Sequence, residues 1–295
     1  MCQKNTMSLL KRLLDAVRSR RRRHVVFDYG YLPRERDWSR SPGVAALTRK
    51  ACESADDYKA LLARFAGYRA WLEKIPARAG EDDPAPRWIN GSFPALDAVS
   101  VYGLLALHNP SIYVEVGSGN STKFARRAIQ DHGLRTRIVS IDPHPRRDVD
   151  AICDEVIRRP CEDMDMTFFA DLPGDAVLFV DNSHRAFQNS DVTVFFMEIL
   201  PVLAPGIVWG LHDIFFPCDY PEAWRARFFN EQYLLMAYLM GGGGTDEILL
   251  PNYLVCSNPM LMQSAQAIFD GSHFDSVEKH GGCFWMRRGT KPRTA

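Results

Sequence analysis

The segment Ile112-Tyr-Val-Glu-Val-Gly-Ser-Gly-Asn-Ser-Thr122 decides the fold of this chain. Its first five residues are mostly apolar and β-branched, which predicts a buried strand, and glycines follow at positions 117 and 119. A helix is expected to begin at Ser121 or Thr122. Glycines let the backbone approach a ligand closely, and a helix N-terminus offers free N–H donors. The segment therefore predicts a ligand-binding loop between a strand and a helix.

Strands and helices alternate after residue 87. Strands are expected at residues 112–116, 138–141, 155–158, 176–180 and 207–211, and helices at 122–130, 191–203 and 222–240. This alternation is typical of βαβ units around a parallel sheet, so the sequence predicts an α/β, Rossmann-like, doubly wound fold. The rhythm breaks at the glycine run 241–244, after which residues 247–250 and 283–286 are expected as late strands.

The N-terminal part differs in composition from the rest. Residues 1–87 are predicted to form a basic, helical extension, with helices at 7–19 and 55–75, and residues 88–295 the main domain. The run of four arginines at 20–23 follows an amphipathic pattern, so residues 7–24 can be either a solvated tail or a contact with an anionic membrane surface. The sequence also leaves open a homodimer built through residues 1–87.

Bulk composition excludes several classes of protein. Hydrophobic residues make up 46% and charged residues 24%, which is ordinary for a globular protein. The formal net charge is zero, so no nucleic-acid partner is expected. The seven cysteines form no C-x-x-C pair, and neither a signal peptide nor an apolar stretch of membrane-spanning length is found. We therefore expect a cytoplasmic protein.

The glycine loop favours a cationic ligand over a dinucleotide. The third glycine of a dinucleotide-binding loop is absent, because Thr122 stands there. Glu115, two residues before Gly117, would repel a pyrophosphate but would suit S-adenosylmethionine, which carries a sulfonium and an amino group. Asp142 ends the second strand, where a carboxylate can accept both ribose hydroxyls. The predicted cofactor-binding residues are Glu115, Gly117, Ser118, Gly119, Ser121, Asp142 and Asp181.

Four motifs together resemble a known family: V-E-V-G-S-G-N-S-T at 114–122, I-D-P at 141–143, F-V-D-N-S-H at 179–184 and G-L-H-D at 210–213. They are similar to class I S-adenosylmethionine-dependent methyltransferases, and more closely to the methyltransferase-24-like subgroup, over residues 88–288. The resemblance implies a seven-stranded sheet whose last strand is antiparallel. It also implies a small molecule, a sugar or a polysaccharide as the methyl acceptor, since relatives modify such compounds.

Polar residues follow the fourth and fifth strands. If the first strand neighbours the fourth, and the fourth the fifth, then Asp181, His184, His212 and Asp213 share one rim of the sheet with the glycine loop. Methyl transfer to a hydroxyl needs its proton removed, and histidine is suited to that task. Either His184 or His212 is the predicted base, with Asp181 and Asp213 orienting the rings or binding the methionine amino group.

A divalent metal at the same rim is a further hypothesis. Some related O-methyltransferases hold Mg²⁺ with acids after these two strands, and the corresponding residues here are Asp181, His212 and Asp213. A histidine among the ligands would suit Mn²⁺ or Zn²⁺ better than Mg²⁺. Two other classes stay open at this point, namely a nicotinamide-dependent oxidoreductase and a methyltransferase-like binding module without catalysis.

Overall fold

The computed structural model describes residues 30–80, 83–145, 149–243 and 245–290. Its contacts divide the chain into two units, Met1–Arg34 and Glu35–Ala295, and only residues 30–34 of the first unit are described. The predicted basic helix at 7–19 and the surface contact through residues 7–24 lie outside the described residues. No helix in the ranges given above has both the length and the apolar character needed to cross a membrane.

A seven-stranded sheet forms the centre of the second unit. Its strands are β1 Ile112–Val116, β2 Arg137–Ile141, β3 Glu155–Ile157, β4 Val177–Val180, β5 Val208–Leu211, β6 Glu247–Pro251 and β7 Phe284–Arg287. They lie in the order β3-β2-β1-β4-β5-β7-β6. The first five are parallel, whereas β7 runs antiparallel to both β5 and β6. This arrangement confirms the predicted fold, including the antiparallel last strand and the adjacency of β1, β4 and β5.

Helices cover both faces of the sheet. They are α1 Pro42–Glu53, α2 Ala55–Ala66, α3 Arg69–Leu72, α4 Ala95–His108, α5 Asn120–His132, α6 Met166–Ala170, α7 Asp191–Val194, α8 Leu200–Val202, α9 Glu231–Met240, α10 Asn252–Ser257 and α11 Pro259–Gln266. A π-helical turn, Phe195–Ile199, joins α7 to α8. Helix α4 is apolar almost all round and is buried over most of its length, as expected of a helix inside a core.

Helices α1 and α2 pack against the two sides of the sheet. Tyr58 and Phe65 of α2 are fully buried in the core on one side of it, and Leu47 of α1 is buried in the core on the other side. Helices α2 and α4 approach so closely at Gly103 that a Cβ there would overlap the Phe65 ring. The compact unit therefore begins at Glu35. The division at residues 87 and 88, which rests on sequence texture and family resemblance, stays a prediction.

The single helix predicted over residues 222–240 is wrong. A 3₁₀ helix, Glu222–Arg227, is followed by Phe228 in the left-handed conformation (φ 54°), and α9 begins at Glu231. The break has a tertiary cause. The backbone N–H of Asn230 donates to the carbonyl oxygen of His184 at 2.9 Å, instead of continuing the helix. This contact brings the loop after β4 next to the start of α9.

Candidate active site

The glycine loop crosses the end of β4. Gly117 has a φ of +83°, and a Cβ there would overlap the carbonyl oxygen of Asp181. Hydrogen bonds fix the crossing, from Gly117 N–H to the Ile141 carbonyl at 3.0 Å and from Asp181 N–H to the Val116 carbonyl at 2.8 Å. Only glycine combines this φ with such close approach. The loop and Asp181 are therefore held in one fixed relation.

Gly119 has a different surrounding. It is the N-cap of α5, its φ of 175° is extended, and no heavy atom lies within 4 Å of the place a Cβ would occupy. Together with Ser118 it lines the large cavity described below. The space above Gly119 is therefore open to a ligand, as the sequence predicted for this loop.

Glu115 lies underneath the loop. Its side chain is fully buried and does not line the cavity; it accepts hydrogen bonds from the Tyr113 hydroxyl at 3.0 Å and from the Thr122 hydroxyl. The Thr122 oxygen in turn accepts from Gly119 N–H at 2.9 Å. Burial raises the pKa of Glu115 to about 7, although the neighbouring hydroxyl groups oppose that rise. Its contacts support the loop, so direct contact with a cofactor stays a prediction for Glu115 and for the buried Ser121.

Asp142 supports the loop from the end of β2. Its carboxylate accepts from Ser118 N–H at 2.8 Å, from the Ser118 hydroxyl at 3.3 Å and from His144 N–H at 2.8 Å. A carboxylate offers about four acceptor positions, so further donors can still be bound. Asp142 is half-buried and is not among the residues that line the cavity. Its predicted contact with ribose hydroxyls stays a prediction.

A cavity of about 1250 Å³ opens at the carboxyl ends of β1, β4 and β5. It contains the crevice between β1 and β4, where the sheet reverses its strand order and where ligands bind in such folds. The volume exceeds the roughly 300–1,000 Å³ of most small-molecule pockets. The cavity can therefore hold a cofactor and a second small molecule together.

Two aspartates and two histidines meet on the cavity wall, as the sequence predicted. His184 Nε2 lies 3.2 Å from Asp181 Oδ1 and 3.4 Å from Asp213 Oδ2. His212 Nδ1 lies 3.4 Å from Asp181 Oδ1 and 3.5 Å from Asp213 Oδ1. The two rings are almost completely buried, whereas the side chains of Asp181 and Asp213 are 33% and 17% exposed. The carboxylates are thus the groups that face a ligand.

Two further carboxylates complete the cluster from helices. Glu231, at the start of α9, accepts a hydrogen bond from His184 Nδ1 at 2.9 Å. Asp97 of α4 lies 3.2 Å from His212 Nε2 and also accepts from Gly282 N–H, Cys283 N–H and the Asn252 amide. Both carboxylates are fully buried. The predicted site did not include them; the signal for Asp97 is that it stands alone as an acid within the apolar sequence of α4.

The carboxylates shift the titration of both histidines. Burial alone would lower the pKa of His184, but Asp181, Glu231 and Asp213 together raise it to about 10. Burial is likewise outweighed at His212, where Asp213, Asp181 and Asp97 raise the pKa well above its usual value. Burial also opposes ionisation of Asp181, yet the two rings lower its pKa. In the absence of a ligand the carboxylates therefore favour the protonated, charged form of both rings.

The backbone is strained at two of these residues. His184 and Asp213 both have a φ of +57°, in the left-handed region that non-glycine residues seldom adopt. Such strain costs of the order of 1–3 kcal/mol per residue and concentrates at functional sites. Hydrogen bonds from His184 N–H to the Asn182 side chain and from Ile214 N–H to the Gly282 carbonyl hold the two positions. Both side chains are thereby directed at the same cavity.

Potential metal ligands surround the His212 ring. Both ring nitrogens are buried without a hydrogen-bond partner, and Nδ1 faces one oxygen of Asp181 and one of Asp213. Among the described residues, the group of potential ligand atoms that all lie close to one another comprises Asp97, His212 and Cys283, all buried. The Asp97 oxygens in that group already accept two backbone N–H groups and an amide. That group is therefore partly satisfied by the protein itself, and the predicted metal site at Asp181, His212 and Asp213 stays a prediction.

Comparisons with known proteins found one family model and several similar solved structures. Residues 114–214, from within β1 to just after β5, match the model of a family described as a methyltransferase domain. No curated protein sequence matches the chain. One similar structure is the O-methyltransferase TomG from Streptomyces achromogenes, which is involved in tomaymycin synthesis and was solved with S-adenosylmethionine. The two chains are 15% identical, the match covers 68% of this chain and 83% of TomG, and the TM-score is 0.40. A Podospora anserina methyltransferase bound to S-adenosylhomocysteine is similar at 13% identity, 89% and 100% coverage and a TM-score of 0.40.

Proposed function

We propose that this chain, of which residues 114–214 match a methyltransferase-domain family, is a class I methyltransferase that transfers the methyl group of S-adenosylmethionine to a hydroxyl oxygen of a small molecule or a sugar. One observation carries the proposal: the open space above Gly119 and the exposed carboxylates of Asp181 and Asp213 belong to the same cavity. A glycine loop beside uncovered negative charge suits a ligand that is itself positively charged.

The charge of the cluster supports this ligand over a dinucleotide. Within the cluster itself, even with both histidines protonated, the four carboxylates of Asp97, Asp181, Asp213 and Glu231 outnumber the positive rings by two when all four are ionised. The arginines that line the cavity, Arg185 and Arg227, lie beside Phe229 instead. A pyrophosphate would be repelled at the cluster, whereas a sulfonium or an ammonium group would be attracted. The nicotinamide-dependent alternative is disfavoured for this reason as well as by Thr122 in the place of a third glycine.

Several residues would hold the cofactor. Ser118 and Gly119 would face it from the loop, Asp181 would accept from the methionine amino group, and Asp142 would accept from the ribose. Glu115 would act indirectly, through the Thr122 hydroxyl and the first turn of α5. When bound, S-adenosylmethionine supplies the electrophilic methyl group, and the enzyme positions the acceptor oxygen in line with it.

His184 is the base in this proposal. The neutral ring would donate from Nδ1 to Glu231, and the Nε2 lone pair would lie beside the Asp181 and Asp213 carboxylates at the edge of the cavity that His184 lines. As the acceptor oxygen forms its bond to the methyl carbon and the methyl–sulfur bond breaks, the hydroxyl proton would pass to Nε2. His212 is held instead against Asp97 at 3.2 Å, and would serve to position Asp181 and Asp213. A positive ligand beside these carboxylates would lower the His184 pKa towards neutrality.

A divalent cation held by Asp181, His212 and Asp213 is a second part of this proposal. Asp181 Oδ1 and Asp213 Oδ1 lie 3.4 and 3.5 Å from His212 Nδ1, close to the roughly 3.3 Å between ligand atoms around a tetrahedral metal. The three residues are not the mutually close ligand group of the described chain, so an ion would have to draw the two carboxylates together. We propose these three residues as the ligands, with Mn²⁺ or Zn²⁺ favoured by the imidazole. Such an ion would stabilise the ionised hydroxyl of the acceptor. Calorimetric titration with MnCl₂, ZnCl₂ and MgCl₂ tests this: binding that survives in Asp213→Asn, or no binding to the wild type, would contradict it.

Titration calorimetry with S-adenosylmethionine, S-adenosylhomocysteine and NADH tests the function itself. We expect the first two to bind and NADH not to bind. Gly119→Val should weaken binding by about tenfold or more, because its side chain would occupy the open space over the loop. The free energy of unfolding should fall by only about 1 kcal/mol, the cost of replacing an N-cap glycine, since nothing in the protein lies within 4 Å of that position.

Gly80→Val is the matched control, because Gly80 also has open surroundings but lies outside the loop. It should bind the cofactor as the wild type does. A wild-type protein that binds neither sulfur compound would refute the proposal. Binding without turnover across a broad panel of hydroxyl acceptors would support the catalytically inactive binding module instead.

A further inference from the structure

Aromatic side chains line part of the same cavity. Phe215 follows β5, Trp224 and Phe229 lie in and after the 3₁₀ helix, and Tyr253 belongs to α10. Phe215 lies 5.0 Å from Trp224 and 5.1 Å from Tyr253 between ring centroids, and Trp224 lies 5.7 Å from Phe229. We name these four residues the aromatic wall. Their edge-to-face and tilted contacts are the geometry that a further aromatic ring adopts against such rings.

The wall continues directly into the charged cluster. The Phe229 ring lies 4.6 Å from the His184 ring between centroids. Because His184 is the proposed base, a flat molecule against Phe229 would have its substituents beside the group that takes a proton. The aromatic wall is thus placed where a methyl acceptor is needed, rather than in a remote part of the fold.

Two arginines stack on the wall. The guanidinium carbon of Arg227 lies 3.9 Å from the Trp224 ring centroid and 5.5 Å from that of Phe229, and the guanidinium of Arg185 lies 5.0 Å from that of Phe229. Arg185 donates from Nε to the Arg227 carbonyl at 2.8 Å and from Nη1 to the Ser183 carbonyl at 2.9 Å. Both arginines line the cavity. Their positive charges therefore face the space in front of the wall.

Arg227 has no acidic partner within the described ranges. Its neighbour Arg225, on the same 3₁₀ helix, pairs with Glu222 and does not line the cavity. Among the described residues no carboxylate lies within ion-pair distance of Arg227, although its guanidinium is oriented by Trp224. A guanidinium presents donors in a fork that matches a carboxylate or another oxyanion. The sequence has two arginines separated by one residue, Arg225 and Arg227, and the structure distinguishes the paired one from the one that lines the cavity.

We infer that the acceptor is an aromatic compound that carries both a hydroxyl and an oxyanion such as a carboxylate. Its ring would pack against the aromatic wall, the oxyanion would bind Arg227, and the hydroxyl would lie beside His184. This inference rests on the proposed function, which it narrows from small molecules and sugars to hydroxylated aromatic acids. Trp224 and Phe229 would act in specificity, and Arg227 would select for negative charge.

Matched pairs of probes test this inference. Protocatechuate, caffeate and gallate would each be titrated beside its methyl ester, which keeps the ring and hydroxyls but removes the charge, with shikimate as a non-aromatic acid. We expect at least one acid to bind wild-type protein about three- to tenfold more tightly than its ester and than shikimate, a modest factor because Arg227 is exposed. Arg227→Gln should abolish the preference over the ester, and Arg225→Gln should retain it.

The titrations are run with and without S-adenosylhomocysteine, so that the two proposals fail separately. If no acid binds better than its ester, if shikimate binds as well as the aromatic acids, or if Arg225→Gln loses the preference as Arg227→Gln does, the inference is overturned. If the acids bind as expected while S-adenosylhomocysteine does not bind, the proposed function fails although the aromatic acid site stands.

Discussion

Gly117 is in contact with the carbonyl oxygen of Asp181, so the loop that would carry the cofactor and the residue that would bind its amino group are spatially inseparable. The contact joins the end of β1 to the end of β4, next to the hydrogen bond from Asp181 N–H to the Val116 carbonyl. Any side chain at position 117 must push Asp181 away, and with it the oxygen that lies near both histidines.

Gly117→Ala should therefore damage both stability and binding. The new methyl group would collide with the Asp181 backbone, and the φ of +83° is unfavourable for alanine. We expect a loss of about 2–4 kcal/mol in the free energy of unfolding, measured by urea denaturation, together with weaker binding of S-adenosylhomocysteine.

Gly133→Ala is the control for the backbone effect alone. Gly133 has a φ of +56°, but no heavy atom lies within 4 Å of the position of a Cβ. It should cost only about 1 kcal/mol, without a change in cofactor affinity. Equal losses in the two variants would show that the contact with Asp181 has no energetic importance.

The raised pKa of His184 predicts how stability depends on pH. The folded protein holds a proton up to about pH 10, whereas the unfolded chain releases it near the usual value of 6.5. The stabilisation is complete below the lower value and is lost as the pH rises through the upper one. Between these two values the free energy of unfolding should fall by up to about 1.4 kcal/mol for each unit by which the pH rises, because folded His184 keeps a proton that the unfolded chain has released. Urea unfolding of the ligand-free protein at several pH values measures this slope.

His184→Asn should reduce this slope by the contribution of one proton. Asparagine is chosen because it tolerates the φ of +57° found at this position. His273→Asn is the control, since His273 contacts the Ile75 carbonyl at 2.8 Å and has no described carboxylate partner. If the slopes of wild type and His184→Asn coincide between pH 7.5 and 9.5, the raised pKa is refuted.

Asp97→Asn should remove the ion pair between Asp97 and the His212 ring. The substitution removes a buried charge that lies 3.2 Å from His212 Nε2 and accepts two backbone N–H groups. We expect a loss of about 2–4 kcal/mol in unfolding free energy. NMR titration should also show a lower pKa for the His212 ring, an effect that general destabilisation would not produce.

Asp175→Asn provides the comparison on the surface. Asp175 also accepts a backbone N–H and a hydroxyl from Ser111, but its side chain is 39% exposed. The expected cost is about 1 kcal/mol or less. A similar cost for the two variants, with an unchanged His212 pKa, would rule out a special role for Asp97.

The sequence was sufficient to predict the sheet and the groups that follow its strands. Strands such as 112–116 and 176–180 are continuous apolar runs, and the carboxyl ends of parallel strands meet at one edge. The convergence of Asp181, His184, His212 and Asp213 followed from that rule. Their roles in catalysis and metal binding stay predictions.

Other parts of the site could not be predicted from local sequence. Residues 222–240 contain no proline or glycine, so their pattern indicated one helix; the break arises because the His184 carbonyl binds Asn230 from 46 residues away. Asp97 reaches His212 from a helix more than a hundred positions earlier in the chain. Such contacts depend on tertiary packing, which a window of sequence does not contain.

The position of β7 has a consequence for biosynthesis. Asp97 acquires its backbone partners only when Gly282 and Cys283 arrive, and β7 lies between β5 and β6 in the sheet. A nascent chain still lacking these residues at the ribosome would leave the Asp97 carboxylate without those N–H donors and β5 with a bare edge. The cluster around Asp97 and His212 would thus be complete only after the residues of β7 have been synthesised. Until then the unpaired edge of β5 would need protection from aggregation.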